Sequence, residues 1–182
     1  MTFDGRPSRD HILIDSAALW ALRSTCSRAQ VGVVIASSDY RPLVSGYNGA
    51  PAGMKHCQHI CTCGRDEQKR RTITQMYFPG ETPSMWVDPG HADNCLGQKP
   101  CEISVHAEAN AIAYAARYGA PIEGGQLFTT VAPCWNCSML IISAGITRVV
   151  FANEHRDMSG VDLLDKVSVE VVKYGHGQQE AR

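Results

Sequence analysis

The order of strand-like and helix-like segments predicts an α/β fold, a three-layer α/β/α sandwich around a central, mostly five-stranded mixed sheet. Two observations carry this prediction. After residue 105, short apolar runs suited to buried strands alternate with segments whose apolar residues recur at helical spacing. The length of 182 residues also suits one domain, residues 1–182, with a sizeable core.

The first third of the chain is predicted to contribute one helix and two strands. Ser8 is a suitable N-cap for a helix that carries Ile12, Leu19, Trp20 and Leu22. Apolar residues 31–36 and 43–47 predict two strands. The turn-rich residues 48–53 follow as a loop.

In residues 54–104 the apolar residues recur at neither helical nor strand spacing. This segment holds five of the eight cysteines and a charged run at 65–71, so we expect an irregular zinc-binding insertion. Beyond it the pattern predicts helices at 105–118, 134–144 and 161–167, and strands at 126–130, 148–152 and 168–173. Pro133 suits the first position of the second of these helices. Residues 175–182 are expected to be a disordered tail.

Composition narrows the classes of function. The 17 basic and 18 acidic residues give a net charge of −1. Such a chain has no overall positive field to attract the phosphates of a long nucleic acid, which weighs against such a partner. No apolar run approaches a membrane span, and the polar residues 1–10 do not resemble a signal peptide. A cytoplasmic location is therefore expected, and eight cysteines there indicate metal ligands more than disulfides.

One pair of motifs carries chemistry. His106-Ala107-Glu108 precedes Pro133-Cys134-Trp135-Asn136-Cys137, and each motif opens a predicted helix. One histidine and two cysteines, His106, Cys134 and Cys137, can hold one Zn²⁺ and leave its fourth position to water, as in catalytic sites. The helix dipoles would favour the two thiolates.

Glu108 is a carboxylate two residues from the histidine, available to move protons. The combination is the signature of zinc-dependent nucleobase deaminases. Taken singly, each fragment has a simpler interpretation: a redox pair or half of a structural zinc site for the cysteines, and a solvated helix start for the histidine and glutamate. Together, in matching helical contexts, they favour catalysis.

The chain resembles the deoxycytidylate (dCMP) deaminases of the cytidine deaminase-like superfamily from about residue 15 to 173. The zinc motif identifies only the superfamily. Two further stretches narrow the resemblance to the dCMP branch, Gly46-Tyr47-Asn48-Gly49 and Arg23-Ser24-Thr25-Cys26. Residues 57–104 depart from better-known members in length and cysteine placement.

The resemblance implies hydrolytic deamination of dCMP to dUMP, which supplies thymidylate synthesis. Glu108 would act as the proton shuttle, and the main-chain N–H groups of Ala107 and Cys134 could contact the substrate. Asn48 would bind the deoxyribose or the base, although an ordinary Asn-Gly hairpin is the alternative. Candidates for binding the phosphate, each equally well explained as a surface charge or a loop residue, are Arg23, Ser24, Arg28, His155 and Arg156.

The remaining cysteines suggest further metal sites. Resemblance implies a second, structural Zn²⁺ held by Cys26, Cys57, Cys95 and Cys101, which would form a closed four-cysteine site. A further metal site could be formed by His59, Cys61, Cys63 and His91. The favoured interpretation of these two cysteines is that they are inert or exposed thiols.

Resemblance also implies regulation and assembly. Arg117 corresponds to an arginine linked to subunit contacts and to control by dCTP, which activates, and dTTP, which inhibits. Mg²⁺ would accompany such an effector, and a homo-oligomer is expected, with a hexamer favoured. The alternative for Arg117 is a favourable cation at a helix C-terminus.

Three other functions compete with dCMP deamination. The substrate could be a 5-substituted dCMP or another free nucleobase or nucleoside. A tRNA-editing deaminase should carry a basic face, which the near-zero net charge disfavours. A non-catalytic zinc module has no need for Glu108.

Overall fold

The structure is a computed structural model, and it describes residues 6–26, 29–54, 56 and 104–175. They divide into two compact units. The first contains residues 6–24, 31–48 and 106–175, and the second contains 25–26, 29–30, 49–54, 56 and 104–105. None of the helices in these ranges has the length and apolar character needed to span a bilayer.

The first unit contains the secondary structure that positions the site. In chain order its described elements are α1 (Arg9–Ala21), β1 (Gly32–Ala36), β2 (Pro42–Tyr47), α2 (Ala107–Tyr118), β3 (Gln126–Val131), α3 (Trp135–Ser143), β4 (Arg148–Asn153), α4 (Ser159–Lys166) and β5 (Glu170–Lys173).

The sheet is mixed and five-stranded in the described chain, with the order β2-β1-β3-β4-β5. The pairs β2–β1 and β1–β3 are antiparallel, whereas β3–β4 and β4–β5 are parallel. Gln126 is opposite Arg148 at the start of β3 and β4, and Val131 is opposite Asn153 at their end. The loops that follow β3 and β4 therefore leave one edge of the sheet together.

Strand alternation separates two apolar layers. On one face, Val34 and Phe128 pack with Leu13, Ile14 and Ala17 of α1. On the other face, the neighbouring strand residues pack against the small, buried face of α2 and against α3 and α4; this layer includes Val33, Ile35, Leu127, Val149, Ala107, Ala111, Ala115, Ile141 and Leu164. The predicted α/β/α sandwich with a mixed sheet is confirmed.

Both helices that carry the motifs begin later than predicted. His106 is the N-cap of α2, with extended backbone angles, so the helix begins at Ala107 rather than at 105. Cys134 is the N-cap of α3, also extended, so Pro133 lies before the helix and is not its first residue. An N-cap residue must leave the helical φ/ψ region. The two ligand candidates thus lie at helix boundaries.

The last helix and the last strand also begin at other residues than predicted. The last helix begins at Ser159 rather than 161, and the last strand begins at Glu170 rather than 168. Ser168 has a left-handed φ of 61°, which a regular strand excludes. Sequence periodicity does not specify such turns.

The second unit contributes an isolated antiparallel bridge between Gly49 and Val105. This pairing replaces the Asn-Gly hairpin that was the alternative for residues 48–49. Of the predicted insertion at 54–104, residues 55 and 57–103 lie outside the described residues, as does the tail beyond Gly175. The single domain over residues 1–182 stays a prediction.

Candidate active site

Three ligand candidates meet at the N-termini of α2 and α3. His106 and Cys134 are the two N-cap residues, and Cys137 lies in the first turn of α3, where it is buried. Their ligand atoms all lie within 4.8 Å of one another. The helix N-termini direct their positive dipole ends to this point, which stabilises thiolates.

The distances suit a tetrahedral ion. The Nδ1 atom of His106 lies 3.5 Å from Cys134 Sγ and 3.4 Å from Cys137 Sγ. Zinc bonds of about 2.3 Å to sulfur and about 2.0–2.1 Å to nitrogen place these atoms about 3.6 Å apart in tetrahedral geometry. The three residues therefore have the chemistry and spacing that Zn²⁺ requires.

The two thiols differ in pKa because they share a hydrogen bond. The pKa of Cys134 is lowered to about 3, first by the hydrogen bond from Cys137 and then by the one with His106. The same hydrogen bond, followed by burial, raises the pKa of Cys137 above its usual range. Since thiolates are the ligating form, a cation held by both sulfurs would displace the proton of Cys137.

Glu108 lies in the first turn of α2 and is 4% exposed. Burial is the main cause that raises the pKa of its carboxyl, while its own backbone N–H and the nearby His106 act in the opposite direction. No lysine or arginine pairs with it among the described residues. A carboxyl in this environment can take up and release a proton.

Asn48 follows β2 and is buried. Its side-chain oxygen accepts hydrogen bonds from Ser24 Oγ at 2.7 Å and from the Val31 N–H at 2.8 Å. The Ser24 hydroxyl also lies 2.9 Å from the main-chain oxygen of Asn48. Ser24, predicted to contact phosphate, is therefore engaged in fixing the side chain of Asn48.

Asn110 is a residue to which the sequence assigned no role. From α2 it donates a hydrogen bond of 2.8 Å to the main-chain oxygen of Tyr47, next to Asn48. It ties the end of β2 to the helix that begins at His106. Asn110 belongs to the motif stretch that carries the resemblance, but a helical position alone does not reveal its partner.

Other residues predicted to bind substrate lie at helix starts and on the loop after β4. The N–H groups of Ala107 and Cys134 lie at the starts of α2 and α3, where no intrahelical acceptor exists. The half-buried His155 and the exposed Arg156 follow β4 at the same edge of the sheet. His155 folds onto its own loop, with Nδ1 3.1 Å from Asp157 N.

The other candidates are only partly placed. Arg23 is exposed in the turn that ends α1. Arg117 lies in the last turn of α2, with its guanidinium carbon 5.5 Å from the Tyr118 ring centroid. Cys26 is buried. Outside the described residues lie Arg28, Cys57, His59, Cys61, Cys63, His91, Cys95 and Cys101.

Several known proteins are similar to this chain in sequence. A deoxycytidylate deaminase of Mycobacterium phage D29 is 38% identical over 149 residues, which are 82% of this chain and 98% of the phage protein. A deoxycytidylate deaminase of Enterobacteria phage T2 is 29% identical over 167 residues, covering 87% of this chain and 88% of the phage protein.

Among solved structures, a dCMP deaminase from the cyanophage S-TIM5, in complex with dCMP and dUMP, superimposes with a TM-score of 0.65. It is 27% identical, and the match covers 93% of this chain and 99% of the cyanophage chain. The family described as the cytidine and deoxycytidylate deaminase zinc-binding region matches residues 7–153. The chain belongs to the cytidine and deoxycytidylate deaminase family.

Proposed function

We propose that this chain catalyses the hydrolytic deamination of dCMP, in which dCMP and water give dUMP and ammonia. The observation that carries the proposal is a buried carboxyl, Glu108, which pairs with no lysine or arginine among the described residues and lies beside a three-ligand cluster whose spacing suits Zn²⁺. Similarity to deoxycytidylate deaminases over nearly the whole length of the phage D29 protein supports the substrate.

His106, Cys134 and Cys137 would hold the zinc ion. When bound, zinc supplies the Lewis acidity that activates water for attack on the pyrimidine. Glu108 would take one proton from the attacking water and deliver it to N3 of the ring. It would then take the second proton, from the hydroxyl formed at C4, and deliver it to the amino group that leaves as ammonia. Its burial keeps bulk water away from this proton transfer. The N–H groups of Ala107 and Cys134 are donors suited to oxygen atoms of the substrate.

Release of ammonia from a panel of nucleobases, nucleosides and nucleotides tests the proposal. We expect turnover with dCMP, and turnover lower by at least about 10²–10⁴-fold with zinc-loaded protein in which Glu108 is replaced by glutamine. The panel includes 5-substituted dCMP, cytidine, cytosine, guanine and a tRNA substrate, which represent the alternatives raised by the sequence. Activity confined to one of these would replace the proposal.

The phosphate of the substrate gives a sharper comparison. Arg23 and Arg156 are exposed cations near the ends of α1 and β4, His155 is a half-buried side chain after β4, and Arg28 is a further candidate. Charge-assisted bonds to phosphate contribute about 1.5–3 kcal/mol each. We therefore expect kcat/KM for deoxycytidine to be at least about tenfold below that for dCMP. Equal values for both would contradict phosphate recognition.

We also propose a second, structural zinc ion, held by Cys26 with Cys57, Cys95 and Cys101. Elemental analysis should then give two zinc ions per chain. Replacing Cys26 by serine should remove one ion and lower the melting temperature, because metal binding and folding are coupled. One ion per chain with an unchanged melting temperature would reject this site.

Regulation by nucleotides is proposed through Arg117. It lies at the opposite end of α2 from His106, about 17 Å away along the helix. A change in subunit packing at Arg117 could therefore shift His106 and Glu108 together. We expect a homo-oligomer, with a hexamer favoured, and sigmoidal kinetics that dCTP with Mg²⁺ makes hyperbolic and dTTP inhibits. Arg117→Glu should abolish this response. Hyperbolic kinetics insensitive to both nucleotides in an assembled oligomer would contradict it.

The nucleotide substrate also supports the expected cytoplasmic location, which fractionation of cells that contain the tagged chain would test.

A further inference from the structure

A glycine outside the motifs lies against the turn that carries one ligand candidate. Gly160 is the second residue of α4 and is buried. A Cβ atom at this position would lie 2.3 Å from the main-chain oxygen of Pro133 and 2.7 Å from the main-chain carbon of Cys134. It would also lie 2.8 Å from Ser138 Oγ on α3. Two of these three atoms belong to backbone, which cannot rotate away.

This contact bears directly on the metal site. Cys134 is the N-cap of α3, so the position of its main chain sets the position of its sulfur relative to His106 and Cys137. The sulfur of Cys134 is 3.5 Å from His106 Nδ1, a distance that suits a shared tetrahedral ion. A displacement of the Pro133–Cys134 turn would change that distance directly.

Ser138 adds an independent observation on the same contact. Its side chain is fully buried, and its hydroxyl has no hydrogen-bond partner within the described chain. An unpaired buried hydroxyl costs stability. A Cβ atom at Gly160 would therefore approach a buried, unsatisfied polar group of α3 as well as the backbone.

We infer that Gly160 is a positioning residue for the zinc site: the absence of a side chain lets α4 pack against the Pro133–Cys134 turn and sets the place of the Cys134 sulfur. This inference rests on the proposed role of Cys134 as a ligand. It concerns metal geometry, so it can be tested without substrate.

The test replaces Gly160 by alanine and uses Co²⁺ as the probe, because the visible absorption bands of Co²⁺ report its ligand geometry. We expect altered Co²⁺ bands and a Zn²⁺ affinity about 10–100-fold weaker, as is typical when a group that orients a ligand is disturbed. Affinity is measured by competition with a chromogenic chelator, on protein shown by circular dichroism to be folded.

Gly125 provides a matched control. A Cβ atom there would lie 2.7 Å from the main-chain oxygen of Ala36, so Gly125→Ala introduces a similar backbone clash. It lies before β3, at the opposite end of the strand from the metal site, about 20 Å away. Gly125→Ala should lower the melting temperature but leave the Co²⁺ bands and the Zn²⁺ affinity unchanged.

A double variant, Gly160→Ala with Ser138→Ala, covers the case in which the single variant does not fold. It removes the Ser138 hydroxyl from the contact but keeps both backbone contacts, so we expect recovered folding with Co²⁺ bands still altered. Wild-type bands and Zn²⁺ affinity in the folded single or double variant would overturn the positioning role. If the three ligands bind Zn²⁺ in neither variant nor the wild type, the proposed function fails instead.

Discussion

The two ends of the parallel strands carry polar clusters that differ in how completely they are paired. At the start of β4, the Arg148 guanidinium donates two hydrogen bonds to Asp10, of 2.9 and 2.7 Å. It also donates to Glu170 and Gln126, each at 3.1 Å. The hydrogen bond with Asp10 is the main cause that raises the pKa of Arg148, so the guanidinium stays charged.

At the other end lie the ligand candidates and Glu108. Here the buried carboxyl has no cationic side chain to pair with in the described chain, and two thiols share a hydrogen bond. A buried carboxyl or thiolate lowers the stability of the fold unless a bound ligand or ion compensates its lost hydration. The comparison indicates that the paired cluster around Arg148 contributes to the stability of the fold. The cluster around Glu108 instead keeps reactive groups at the expense of stability.

The largest expected effect is on catalysis at the second end. Glu108→Gln keeps the shape of the side chain but removes the carboxyl proposed as proton shuttle, so turnover of dCMP should fall by at least about 10²–10⁴-fold. Zinc content should be unchanged and the free energy of unfolding equal or higher, because the variant removes a buried carboxyl whose charged form is disfavoured by burial. Near-wild-type turnover in folded, zinc-loaded protein would contradict the role of Glu108.

At the paired end, the expected effect is on stability alone. Arg148→Met leaves the Asp10 carboxylate buried without its partner, which should lower the free energy of unfolding by about 3–5 kcal/mol. Replacing Asp10 by leucine at the same time should restore part of this loss. Turnover per folded, zinc-loaded molecule should stay at the wild-type value in both variants, as measured by denaturant titration and activity assays. A selective loss of turnover would show that the two ends are coupled.

The smallest effect is expected at the exposed side of the same cluster. The Glu170 side chain is 63% exposed, so its ion pair with Arg148 is screened by water. Glu170→Gln should change the free energy of unfolding by less than about 1 kcal/mol, and added salt should reduce the difference. A loss as large as that of Arg148→Met would mean that Glu170, rather than Asp10, dominates the cluster.

Several features of the site followed from sequence because they depend on local spacing. Cys134 and Cys137 are three residues apart at a helix start, so both sulfurs reach the same histidine nitrogen. Glu108 follows His106 by two residues in the first turn of α2. The helix boundaries were less predictable, since an N-cap is defined by backbone angles that residue type only biases.

Contacts between distant segments could not be obtained in this way. Ser24 has the residue type of a phosphate ligand, yet its hydroxyl contacts Asn48, 24 positions away. The sequence alone does not distinguish Arg148 from the many cations on a protein surface. In the structure it pairs with Asp10, 138 positions away. Residue type gives the capacity to bond, and packing chooses the partner.

The sequence by itself determined the fold class, the family and the set of candidate zinc ligands with a candidate proton shuttle, because strand and helix periods and ligand chemistry are properties of short segments. Only the tertiary structure decided which polar groups are paired for stability, which side chain fixes Asn48, and that α4 rests on the Cys134 turn through Gly160. These depend on how layers pack, and close packing is determined by atoms far apart in the chain.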